Sequence, residues 1–141
     1  MSATGLEVFD RTLQATNIWL DDVMRAADWR DRHKAYRAVR IVLHALRDRL
    51  PVDEAAHLSA QLPMLLRGVF FEGWHPASTP VPVRSKDEFL SSLASAFSRD
   101  DFADPERIAE IVFGVLSRHV SDGEIDKVRS ILPKEIRELW V

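Results

Sequence analysis

Glu54 and His57 form an E-x-x-H pair, the half-motif that supplies metal ligands in carboxylate-bridged di-iron helical bundles. Residues three apart share one face of a helix, so this carboxylate and imidazole could reach a common ion. A di-iron site needs the pair twice. At the corresponding positions further along, the chain has Glu124 but Lys127, and a protonated lysine is not a metal ligand. We therefore predict no metal site at this pair.

Other catalytic patterns are missing from the sequence. His33, His44, His75 and His119 lack metal-ligand spacing, and the chain has no cysteine. It has no G-x-S-x-G nucleophile elbow and no glycine-rich phosphate loop. We therefore predict no catalytic residue and no cofactor, and the sequence favours a protein without enzymatic activity.

Basic side chains recur at steps of four and three residues, a spacing that puts them on one helix face. This basic row consists of His33, Arg37, Arg40, His44 and Arg47. Residues 25–49 hold eight Arg or Lys against three Asp, a net +5, whereas residues 85–141 hold eight against twelve acids, a net −4. The row could be a solvated face, could dock an acidic protein or a second copy of the chain, or could bind a phosphate-bearing ligand or nucleic acid. The last is least favoured, because the whole chain carries −3 and shows no recognition-helix motif.

The segment LLRGVFFEGWHP, residues 65–76, places large apolar side chains beside a glycine and a proline. Val69 and Phe70 correspond to Leu139 and Trp140 later in the chain, so we expect them in the core. No such correspondence explains the aromatic end, which we define as Phe71, Trp74 and His75. These three residues could line a partner-binding groove or pack the following linker onto the domain.

The elements that hold these side chains are predicted from an internal repeat with an offset of 70 residues. Leu62-Pro63 aligns with Leu132-Pro133, and the register continues without gaps. Identical pairs include Leu20 with Leu90, Asp31 with Asp101, Arg37 with Arg107, Val42 with Val112, Leu46 with Leu116, Glu54 with Glu124 and Arg67 with Arg137. Apolar positions are also preserved, which indicates a duplicated unit.

Each unit shows apolar residues at helical spacing and no useful strand alternation. Asp31, Ser85, Asp104 and Ser121 are predicted N-caps, with Pro105 in the first turn of its helix. Pro51 is predicted to stop the second helix, and Pro63 to lie in the first turn of the fourth, which Gly73 closes. We predict an all-α fold of two tandem four-helix repeats packed into one domain, 1–141. The repeats span 8–72 and 78–141, with a linker at 73–84.

Composition limits the class of protein. The chain has 141 residues, of which 46% are hydrophobic and 29% charged, as in an ordinary globular domain. It shows no signal peptide and no apolar run long enough for a membrane helix. The lack of cysteine is compatible with a reducing compartment, and we expect a cytoplasmic protein with no membrane partner.

Several phrases carry a family resemblance, namely ALRDRLP, AQLPMLLRG, EGWHP and the closing LPKEIRELW. They resemble the bacterial family known as domain of unknown function 2267, over nearly the whole chain. The resemblance implies a small, cytoplasmic, helical bacterial protein. It implies no activity, cofactor or catalytic residue.

We therefore predict a non-enzymatic protein-interaction or regulatory module that contacts its partner through the basic row and the aromatic end. Its partner is expected to be an acidic protein or a second copy of the chain. The alternative is a small-molecule or lipid-binding protein with an apolar cleft between the repeats, opening near Trp74 and His75.

Overall fold

The structure is a computed structural model that describes residues 2–82, 85–97 and 104–140. Within these ranges the chain forms α-helices, one short 3-10 helix (Pro76–Ser78) and no strand. The α-helices are α1 (Glu7–Ala27), α2 (Arg32–Asp48), α3 (Val52–Ser59), α4 (Met64–Phe71), α5 (Lys86–Ala96), α6 (Pro105–His119), α7 (Asp122–Ile131) and α8 (Lys134–Arg137). The predicted all-α class is confirmed. Parts of the predicted linker and repeats, at 83–84, 98–103 and 141, lie outside the described residues.

The four predicted N-caps are confirmed by hydrogen bonds. Asp31 accepts from the backbone N–H of His33 at 2.9 Å, which fixes the start of α2. Side-chain oxygens accept from a backbone N–H three residues later at the other three, Ser85, Asp104 and Ser121. Such caps satisfy N–H groups that lack a partner in the first turn of a helix. Short polar side chains therefore decide where these helices begin.

The proline positions differ slightly from the prediction. Helix α2 already ends at Asp48, and Pro51 precedes α3. Pro63 lies just before α4 with an extended ψ of 148°, and its carbonyl accepts from Arg67 N at 2.8 Å. It therefore acts as the N-cap residue and not as part of the first turn. Gly73, with φ of 73°, follows the end of α4 in the left-handed region that favours glycine.

The core is apolar and draws on all eight helices. Helices α2 and α6 pack against each other, α1 packs on both, and α5 also packs on both. Large side chains such as Leu43, Leu46, Phe113 and Leu116 are fully buried, each stabilising the fold by about 1.5–3 kcal/mol relative to exposure. In the described part of the chain, no helix is both long and apolar enough to cross a lipid bilayer.

Candidate functional site

The basic row lies along α2, and its members become less exposed toward the C-terminal end of the helix. His33 and Arg37 are exposed. Arg40 and His44 are half-buried, and Arg47 is only 4% exposed. The gradient arises because α4 packs against α2. Helical spacing puts the five side chains on one side of α2, but they do not form one exposed surface.

Arg47 has a structural environment. Its guanidinium donates to the backbone carbonyls of Phe70 and Glu72, each at 2.8 Å, and to the Asp48 carboxylate at 2.8 Å. The last carbonyls of a helix have no partner within that helix, and a nearby cation satisfies them. Arg47 therefore holds the end of α4 in place. Its polar atoms are used within the chain, which does not support the predicted contact with a partner.

His44 and Arg40 bind the same end of α4. The Nε2 atom of His44 lies 2.6 Å from the carbonyl oxygen of Val69 and donates to it, since a carbonyl can only accept. Burial lowers the pKa of His44, and the neighbouring arginine charges lower it further. Arg40 donates to the Glu72 carboxylate at 2.6 and 3.1 Å, and this hydrogen bond lowers the pKa of Glu72.

The aromatic end lies next to these contacts. The rings of Phe71 and Trp74 have centroids 4.9 Å apart, and both side chains are half-buried. The indole nitrogen of Trp74 is buried without a hydrogen-bond partner among the described residues. His75 is exposed. Because Arg40 reaches Glu72, which lies between Phe71 and Trp74 in the chain, the basic row and the aromatic end are contiguous.

A cleft of about 460 Å³ lies between α2 and α5. Arg37, Arg40, His44 and Arg49 line it, together with apolar side chains such as Leu93. Arg49 is held by a bond to the Ala45 carbonyl at 3.0 Å, and its guanidinium lies 5.2 Å from the centre of the Phe89 ring. Trp74 and His75 do not line this cleft, so its opening differs from the predicted one.

A second, mostly apolar groove of about 470 Å³ lies between α1 and the start of α4. Its apolar walls are Val8, Ala15 and Ile18 of α1, with Leu62, Pro63 and Met64 on the other side. We call it the α1–α4 groove. Val8, Ile18, Met64 and the adjacent Leu65 are between 43% and 50% exposed. The Thr12 hydroxyl accepts from Leu65 N at 2.9 Å and fixes the start of α4 against α1.

His119 and Trp19 line one end of the α1–α4 groove. The two rings stack with centroids 4.8 Å apart and an interplanar angle of 21°. The Nε2 atom of His119 lies 2.6 Å from an oxygen of Asp22, which fixes the imidazole at the end of α6. This end of the groove is therefore an ordered polar wall beside an apolar floor.

Sequence reasoning missed this groove, although a signal was present. Ile18, Met64 and Leu65 correspond at the repeat offset to Glu88, Lys134 and Glu135. An apolar residue where the other copy has a charge indicates a surface with a different environment. The comparison was applied to the basic row but not to these positions.

The E-x-x-H pair lies where α3 contacts α7. His57 Nδ1 and Lys127 Nζ each lie 4.0 Å from Glu54 Oε2. In the described ranges, no group of three or more potential ligands is arranged to hold a metal ion. Burial, reinforced by the neighbouring Glu54, raises the pKa of Glu124 to about 7.

The helices and these surfaces define an all-helical protein with a contiguous basic-aromatic surface and an apolar groove. The chain belongs to the family described as Uncharacterized conserved protein (DUF2267), whose model matches residues 16–139. This finding confirms the suspected family. No curated protein is similar enough to the chain to count as a match.

Proposed function

We propose that the chain is a non-enzymatic protein-interaction module, and that the α1–α4 groove receives an amphipathic helix of a partner protein. The observation that carries this proposal is the exposure of Val8, Ile18, Met64 and Leu65 along one groove. Clustered exposed apolar side chains mark interaction sites more often than isolated ones do.

The proposal includes a duplicated architecture of two four-helix halves. Trp19 stacks on His119, and at the offset of 70 residues the Phe89 ring lies beneath the guanidinium of Arg49. Leu62 and Leu132 are both 3% exposed. These paired environments support a common ancestor for the halves, each placing its first helix against the second helix of the other.

The duplication makes the apolar groove informative. Ile18, Met64 and Leu65 correspond to Glu88, Lys134 and Glu135, which are exposed or half-buried polar residues on the other half. If the halves share a fold, that fold tolerates charges at these three positions. Apolar side chains there then need another explanation, and coverage by a partner supplies it.

The groove also depends on a part of α1 that has no counterpart. Helix α5 begins at Lys86, which corresponds to Thr16, whereas α1 begins at Glu7. The family model likewise starts at residue 16. The extension, residues 7–15, therefore adds Val8 and Phe9, both about half exposed, to a surface that the other half lacks.

A helix is the occupant that fits this shape. The groove follows α1 from Val8 to Trp19, about 16 Å or three helical turns at 1.5 Å per residue. Helix-in-groove recognition uses apolar anchors at such spacing. Arg11 lines the groove, and its ion pair with Glu7 is almost fully exposed, so a partner carboxylate can replace Glu7. The expected partner helix is acidic and amphipathic.

Photo-crosslinking in the native cells tests the proposal. A photoreactive phenylalanine analogue replaces Leu65 in one variant and Glu135, its counterpart, in the control. We expect the Leu65 probe to form an adduct with an acidic amphipathic helix of another protein, and the triple change Ile18→Glu, Met64→Lys, Leu65→Glu to abolish binding. Adducts only between two copies, or equal labelling from both positions, would contradict the proposed occupant.

Two other functional hypotheses have less support. The outer residues His33 and Arg37, with the aromatic end, stay a predicted contact surface for an acidic partner. Small-molecule binding stays the alternative, with the α2–α5 cleft as its candidate site. The arginines around that cleft lie close to Asp48, Glu72 and Glu88, so the local charges largely cancel.

A further inference from the structure

Glu54 of α3 and Glu124 of α7 are buried carboxyl groups, 7% and 9% exposed, at the contact between the two helices. Oε1 of Glu54 and Oε2 of Glu124 are buried without a donor among the described residues. An ionised carboxylate can only accept hydrogen bonds, so two ionised groups leave these oxygens unsatisfied. One proton supplies the missing donor.

We propose that Glu54 and Glu124 share one proton, that this proton holds α3 against α7, and that its release to solvent loosens the contact. Two like charges in a water-poor setting repel each other, which favours retention of a proton. The charged groups that face the pair are His57 of α3 and Lys127 of α7, each 4.0 Å from Glu54 Oε2. Both are more than half exposed, so solvent screens them and they do not replace the proton.

The electrostatics agree with this geometry. Burial is the largest cause that raises the pKa of Glu124 to about 7, followed by Glu54, while Lys127 lowers it. An acid whose pKa is higher in the folded state binds its proton more tightly there than in the unfolded chain. The contact is therefore most stable below about pH 4.5, weakens as the pH rises, and reaches its minimum stability above about pH 7.

Amide hydrogen exchange of α3 and α7 between about pH 5 and pH 8 tests the proposal, with rates corrected for intrinsic exchange. In the natural chain we expect the opening equilibrium constant of these helices to rise by about one to two orders of magnitude over this range. Glu124→Gln supplies a permanent donor and is expected to remove the rise. Asp126→Asn, an exposed change on the same helix, is the matched control and should keep it.

A flat profile in the natural chain, or an unchanged rise in Glu124→Gln, would overturn the proposal. If Glu124→Gln does not fold, Glu54→Gln provides the same test from the other helix. Carbon-detected titration of the two side-chain carboxyls in the natural chain reads the proton directly. One carboxyl titrating near neutral pH supports the shared proton, and two titrating near pH 4.5 contradict it.

Discussion

Arg47 and Arg37 lie on the same side of α2 but have opposite surroundings. Replacing Arg47 by Met keeps much of its volume and leaves the carbonyls of Phe70 and Glu72 without their donor. We expect the free energy of unfolding to fall by about 2–4 kcal/mol, since several buried acceptors lose their partner together. Arg37→Met, at an exposed position, is expected to change it by less than about 0.5 kcal/mol. Urea unfolding of both variants measures the difference, and equal effects would contradict the structural role of Arg47.

The same residues show what a local pattern predicts. Spacing of three and four residues depends only on helix geometry, so the sequence could place His33, Arg37 and Arg40 on one side of α2. Which members are buried depends on where α4 packs, a contact between segments more than twenty residues apart. Local spacing does not encode that contact, so the burial of Arg47 could not be predicted.

At the level of helices, α1 is the element whose role is split. Its second part buries Thr16, Trp19 and Val23, whereas the residues before Thr16 are exposed or half-buried. We expect a chain that starts at Ala15 to keep its helical fold and to lose less than about 1 kcal/mol of stability, because little core is removed. Circular dichroism and urea unfolding measure this. Loss of cooperative unfolding in the shortened chain would show that the extension belongs to the folding core.

Helix starts were more predictable than helix ends. Asp31, Ser85, Asp104 and Ser121 act through hydrogen bonds within three residues, so the sequence contains the whole signal. The end of α2 at Asp48 does not coincide with Pro51, because a proline only limits how far a helix can continue. The α1–α4 groove was missed for a related reason: exposure is set by neighbouring helices and not by the apolar character of Met64 or Leu65.

For the whole molecule, the central feature is that helices of one half pack on the other half. Trp19 of α1 stacks on His119 at the end of α6, and Phe89 of α5 packs under Arg49 near the end of α2. Helices α3 and α7 add a contact through Glu54 and Glu124. Each half therefore completes the core of the other, as expected for units of about seventy residues that bury little surface alone.

This arrangement predicts the behaviour of two separate fragments, residues 1–79 and 80–141. We expect each fragment to be largely unfolded alone, since Trp19 and Phe89 each lose the surface that covers them. An equimolar mixture is expected to regain helical content, measured by circular dichroism, with a midpoint that depends on concentration. Trp19→Ala in the first fragment should weaken reassembly, because it removes a large buried side chain from the contact between the fragments. A fragment that unfolds cooperatively by itself would show that packing within one half is sufficient, and the proposed exchange of first helices between the halves would then not be needed for stability.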